Sequence, residues 1–136
     1  MSVLPRPVRS CGFAILLAIV TGPANAADPP GPTLSPGWRF SEQTGEALFA
    51  NSCQACHMSN AEGAIGAGRY PSLAKNTNLA AAGYPVDVVL HGYKGMPAIG
   101  QLMTNEQVAA VVNYVRTHFG NNYTDAVSAS DVKDVR

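Results

Sequence analysis

Residues 51–60 read NSCQACHMSN, with Cys53 and Cys56 three positions apart and His57 directly behind them. The sequence holds 3 cysteines, and the third, Cys11, lies in a leader-like N-terminus. There Arg6 and Arg9 precede an uninterrupted apolar run, Gly12 to Val20, which is too short to span a bilayer. Ala24-Asn25-Ala26 then offers the small-x-small pattern that a signal peptidase reads. We expect residues 1–26 to be a signal peptide cleaved after Ala26, and Cys11 to leave with it. An uncleaved anchor is the alternative, whereas Arg6 and Arg9 are not adjacent as a twin-arginine signal requires. After cleavage, Cys53 and Cys56 are the cysteines that remain.

Export constrains what this pair can do. Free thiols in an oxidising compartment tend to become disulfides. A disulfide across two intervening residues closes a tiny loop and adds little by chain entropy, so a structural staple explains the pair poorly. A thioredoxin-like dithiol belongs beside a βαβ pattern, and no such pattern occurs here. A zinc site needs a fourth ligand, and His91 and His118 are too scattered to supply one convincingly. Cys53-x-x-Cys56-His57 has instead the spacing of covalent c-type haem attachment. Two thiols add across the two vinyl groups of the porphyrin, and the histidine that follows is held under the iron as an imidazole ligand. The expected cofactor is therefore one covalently bound haem c.

Outward from this motif the chain reads as mostly helical. Residues 27–40 contain four prolines and no period, which suits an extended arm whose end Trp38 and Phe40 pin to the fold. Ser41 is a plausible N-cap for a short helix from Glu42 to Asn51. Gly45 within it costs about 1 kcal/mol against alanine, which is more easily understood if another helix crosses close by. Residues 58–84 read as loop with a helical turn near Leu79 to Ala82, and Pro85 to His91 reads as a short helix ended by Gly92. Another loop, GYKGMPAIGQ, follows. Thr104 and Gln107 fit a capping box, Met103 and Val108 a hydrophobic staple. Val108, Val111, Val112, Val115 and Phe119 then recur at helical spacing, with Tyr114 on the apolar side, before Gly120 stops the helix. No convincing strand is visible, and the expected class is all-α.

Only 13% of the residues are charged, and the formal net charge is zero. Removing a leader that holds two arginines and no acid leaves a small negative excess. That is no footprint for nucleic acid, and no basic amphipathic helix suits a membrane surface. No membrane span is expected in the mature chain. A chain of this size buries a modest core, which a bound cofactor would help.

The first helix, CQACH, the glycine-rich loop, Tyr70-Pro71, Gly95-Met96-Pro97 and the final helix occur in the order seen in class I c-type cytochromes. Residues 41–120 resemble that family. GRYPSLA, LHGYKGMPAIG and VVNYVRTHFGN more narrowly resemble small monohaem cytochromes that partner periplasmic dehydrogenases, and SASDVKDVR also looks like that subgroup. The resemblance implies short helices and loops wrapped around one haem in a domain over 41–120, with residues 121–136 as a C-terminal tail. It implies a periplasmic electron-transfer protein rather than an enzyme. Its donor would be a periplasmic dehydrogenase, and its acceptor an oxidase or another cytochrome of the respiratory chain. It further implies that the Pro71 carbonyl accepts a hydrogen bond from His57, although Pro71 can also be read as loop punctuation. Gly45, Phe49 and Tyr114 would match the family's helix-crossing contacts.

A second axial ligand is expected from the 4 methionines. Met1 leaves with the leader, Met58 adjoins His57 and cannot reach the opposite face, and Met103 has its staple role. Met96 remains, in a loop shaped by Gly95 and Pro97. The resemblance implies the same residue, and Met103 and His91 stay as alternatives. Leu73, Leu90, Ile99 and Leu102 are expected to line the pocket. Arg69 and Tyr70 are read either as propionate partners or as exposed loop residues, Lys94 as solvated and His118 as surface. An iron with both axial positions filled favours electron transfer. The competing readings are a haem enzyme or gas sensor with a labile sixth position, and a thiol oxidoreductase.

Overall fold

A computed structural model describes residues 39–66 and 68–136. The expected signal peptide, Cys11, Trp38 and nearly all of the proline-rich arm lie outside the described residues.

The first helix starts later and runs further than the sequence suggests. Thr44, not Ser41, is the N-cap, accepting from Ala47 N at 3.2 Å. Residues 40–42 are held outside the helix because Gln107 Nε2 donates to the carbonyls of Phe40 (2.9 Å) and Glu42 (2.8 Å). From Thr44 the chain forms α1 (Gly45–Leu48), widens into a π-helical segment (Phe49–Cys53), and tightens again as α2 (Gln54–His57). The whole run reaches His57 instead of ending at Asn51. A hairpin follows, correcting the expectation of no strand: β1 (Ala64–Ile65) pairs antiparallel with β2 (Arg69–Tyr70), Ala64 opposite Tyr70 and Ile65 opposite Arg69. Two residues per strand are too few to leave an alternating pattern.

A 3₁₀ turn at Thr77–Ala80 is capped by the Asn76 side chain, slightly earlier than the helical turn expected there. It leads to α3 (Gly83–His91), which puts Pro85 in the first turn, where its missing N–H breaks no helical bond. Gly92, at φ +76°, ends the helix. A second 3₁₀ turn (Ile99–Leu102) precedes α4 (Asn105–Thr117), whose Thr104–Gln107 capping box forms with both reciprocal bonds. Met103 and Val108 of the staple are both buried. Phe119 lies beyond the helix and still packs on the core.

The core lies where α1 crosses α4. A Cβ on Gly45 would stand 2.2 Å from the Ala110 carbonyl oxygen and 2.6 Å from Tyr114 Cβ, so only glycine permits this approach. Phe49 continues the contact, its ring 5.8 Å from that of Tyr114. Residues 121–136, expected as a tail, are instead part of the packing. Asn113 of α4 exchanges two 2.8 Å hydrogen bonds with the Val127 backbone. A second capping box at Ser128 then starts α5 (Ala129–Val135), and Val132 is fully buried. Arg116 is also fully buried, its charge taken by Leu79 O (2.9 Å), Ala80 O (3.3 Å), Asp125 Oδ1 (2.7 Å) and the Asp125 carbonyl. Among the described residues no helix is long and apolar enough to cross a membrane.

Candidate cofactor site

The π-helical segment ends on Cys53, and α2 carries Cys56 and His57. Both cysteines are unpaired and half-buried. Burial pushes the Cys53 thiol above its ordinary range, with the Ser52 hydroxyl 3.5 Å away pulling the other way. A thiol held protonated in this way lacks the stabilised thiolate of a dithiol redox centre.

His57 is buried, and its Nδ1 lies 2.9 Å from Pro71 O. A carbonyl can only accept, so Nδ1 carries a proton, and in the neutral ring Nε2 keeps its lone pair for a ligand. The Pro71 carbonyl is carried by a rigid loop. A Cβ on Gly63, at φ +71°, would strike Tyr70 O at 2.2 Å, and Gly63 N donates to His57 O at 3.0 Å. Ala61 O accepts from Leu73 N (2.8 Å) and Ala74 N (3.0 Å).

Met96 sits in a tight loop in which its backbone and that of Tyr93 exchange two 3.0 Å hydrogen bonds. Gly92 makes this closure possible, since a Cβ there would meet Met96 O at 2.6 Å. Met96 itself is half-buried.

Cys53, Cys56, His57, Pro71 and Met96 line one cavity of about 430 Å³. Leu73 and Leu79 contribute to its walls, as do Val111, Val112 and Val115 of α4. Among the expected lining residues Leu73 is there, whereas Leu90, Ile99 and Leu102 are not. Tyr84, Pro85, Val88 and Val89 are the α3 residues on the wall, the second pair one turn beyond the first, and Leu90 falls around the helix into the core. Ile99 packs on the core and Leu102 is exposed. The α4 valines were legible as an apolar stripe, but nothing in the stripe separates core from cavity wall.

The other readings resolve simply. Met103 is a core residue, and His91 pairs with Asp87 at 2.9 Å; neither lines the cavity. Arg69 and Tyr70 are at the cavity, both exposed. The Lys94 amine lies 5.2 Å from the Tyr93 ring centroid, and His118 is exposed and stacks on Tyr114.

These residues fit an iron porphyrin. The cavity volume lies within the range of small-molecule sites, and its apolar walls suit a flat macrocycle. Two thiols suit addition to the vinyl groups of the porphyrin, and an imidazole nitrogen and a thioether are borderline and soft donors, appropriate to haem iron and not to hard cations. Among the described residues no group of three or more His, Cys, Asp or Glu side chains gathers as a metal-ion site, so a closed zinc centre does not fit.

Short helices around an apolar cavity, with C-x-x-C-H in its wall, define a c-type cytochrome domain. Residues 41–115 match the family model described as cytochrome C oxidase, cbb3-type, subunit III, and the chain belongs to this family of cytochrome c domains, which implies haem c. It is 38% identical over 107 residues to the fructose dehydrogenase cytochrome subunit of Gluconobacter japonicus, covering 68% of this chain and 22% of that protein. It is 32% identical over 108 residues to the gluconate 2-dehydrogenase cytochrome c subunit of Pantoea cypripedii, covering 69% of this chain and 24% of that protein. The cytochrome c subunit of the quinone alcohol dehydrogenase of Gluconacetobacter polyoxogenes is 29% identical over 105 residues, with 68% and 22% covered. The chain thus spans about a quarter or less of the length of these relatives.

Proposed function

We propose that this chain is an exported monohaem cytochrome that carries single electrons from a periplasmic dehydrogenase to an oxidase or another cytochrome of the respiratory chain. The expected signal peptide, residues 1–26, is the route of export. The names of the relatives support the choice of donor, since each is a cytochrome subunit of a dehydrogenase. The observation that carries the reading is the single apolar cavity shared by Cys53, Cys56, His57 and Met96. When bound there, haem c supplies a one-electron ferric–ferrous couple.

The chain's own residues divide the work. Cys53 and Cys56 would tether the porphyrin as thioethers. His57 would offer Nε2 to the iron, its ring orientation fixed by the bond to Pro71 O. Met96 would hold the iron through its soft sulfur, a donor that favours the reduced state. The α4 valines would keep water from the bound group and so favour its less charged state. With His57 and Met96 both holding the metal, no position would be left for a substrate, which is why we assign electron transfer and not catalysis.

Intact mass of the exported protein tests this directly. It should equal residues 27–136 plus one haem and survive denaturation. A haem-free product from a host competent in haem attachment would sink the reading. A reduced spectrum unchanged by carbon monoxide separates the carrier from a gas-binding protein, which would bind it rapidly.

A further inference from the structure

The stretch VVNYVRTHFGN, which ends at Asn121, contains a side chain that the site does not use. Asn121 is only 6% exposed, and its amide is fully engaged. Nδ2 donates to Leu73 O and to Val115 O, each at 2.8 Å, and Oδ1 accepts from Asn76 N at 2.9 Å. Phe119 (φ +56°) and Gly120 (φ +78°) turn the chain back after α4, and Asn121 N then donates to His118 O at 2.9 Å. Lys75 N donates to Phe119 O at 3.1 Å. Residues 73–76 are therefore tied to the end of α4 and the chain just beyond it by the two Asn121 side-chain bonds, by Lys75 N, and by Tyr123 Oη, which donates to Asn76 O at 3.3 Å; the Asn121 side chain is the buried one.

Those residues immediately follow Pro71 and Ser72. A carbonyl's direction is fixed by its peptide plane, so the direction of Pro71 O depends on where Ser72 and Leu73 are held. Ala61 O holds the strap on one flank, through Leu73 N and Ala74 N. Asn121 holds it on the other. We infer that Asn121 is a positioning residue for His57: it fixes the 73–76 strap and, through it, the Pro71 carbonyl that orients the imidazole. The inference rests on the reading of His57 as an iron ligand. Without a fixed acceptor the imidazole would donate less strongly to the iron, the ferric state would be less stabilised, and the reduction potential would rise. Arg116 provides the contrast. It is equally buried and grips the same loop at its far end, through Leu79 O and Ala80 O.

The test uses the haem-loaded chain as wild type, Asn121→Ala, Asn121→Ser and Arg116→Met. Deuterium exchange of the His57 Nδ1–H is followed by NMR in the reduced state, together with reduction potential and thermal midpoint. Loss of the Asn121 bonds should speed Nδ1–H exchange on the order of tenfold or more and raise the potential. Asn121→Ser should fall between Asn121→Ala and wild type. Arg116→Met should lower the thermal midpoint while leaving exchange and potential near wild type. Asn121 variants that lose stability but keep wild-type exchange and potential would overturn the inference. A wild-type protein with no haem-shifted His57 signals would instead remove the ligand assignment, and the inference with it. Should neither Asn121 variant fold, exchange in wild type decides. Protection of His57 Nδ1–H and of the Asn121 amide should agree within a few-fold, and His57 protection that far outlasts that of Asn121 would overturn the proposal.

Discussion

Met96 and Met103 are chemically identical and structurally opposite. Met103 is 2% exposed in the core, whereas Met96 is half-buried at the cavity wall. Met96→Ala should abolish the near-infrared sulfur-to-iron band of the oxidised protein and lower its reduction potential. Met103→Ala should keep the band and cost about 2–5 kcal/mol of stability, as removal of a large buried side chain does. The reverse pattern in oxidised spectra and urea melts would exchange their roles. Asp125 gives a pH-dependent counterpart at the same scale. The Arg116 hydrogen bond holds its carboxyl below the ordinary value of 3.8. A depressed folded value means the unfolded chain takes up the proton first. The pair's stabilisation is therefore complete above 3.8 and disappears as pH falls through the lowered folded value. Wild type and Asp125→Asn should differ in thermal midpoint at neutral pH and converge only in strong acid. A gap unchanged down to the acid limit would show that the carboxylate's charge contributes nothing.

Helices specified by adjacent residues were legible, and those specified by distant partners were not. The Thr104–Gln107 box and the valine stripe that follows are local, so α4 was readable at nearly its observed bounds. The start of the first helix depends on Gln107 gripping residues 40 and 42 from far along the chain, and Ser41 was therefore the wrong cap. The same holds for α5. Its capping box is local, but the Asn113 clamp on Val127 that docks it on α4 is tertiary. Gly45 was the exception, because a glycine inside a helix is itself a sign of close approach. Gly45→Val should force α1 off Ala110 and Tyr114 and cost about 1–3 kcal/mol or more. Thermal unfolding of the variant measures it, and an unchanged midpoint would mean the two helices part without cost.

At the scale of the molecule the site was half written in the sequence. CQACH is contiguous, and its chemistry follows from residue type and spacing alone. The cavity is gathered from α2, the loop after the hairpin, α3, the Met96 loop and α4, so its walls follow only from the fold. The same α4 valines serve as core on one reading and as cavity wall on the other, and a linear pattern cannot distinguish them. This double use has an energetic consequence. Left unfilled and dry, a cavity of about 430 Å³ would cost about 10 kcal/mol at roughly 24 cal/mol per Å³. Water entering through the open side makes that an upper bound. The whole stability of a small domain is about 5–15 kcal/mol, so even a part of that cost matters. Binding that favours only the folded state then supplies much of that stability. The chain carrying Cys53→Ala and Cys56→Ala, made in a host without haem attachment, should show far-UV circular dichroism well below that of the loaded protein. Its urea transition should be broad, without a cooperative midpoint, because no packed interior remains to melt. A haem-free chain with native-like helix content and a sharp transition would mean that α1, α4 and α5 form a self-sufficient core, with the cavity an adjunct to it.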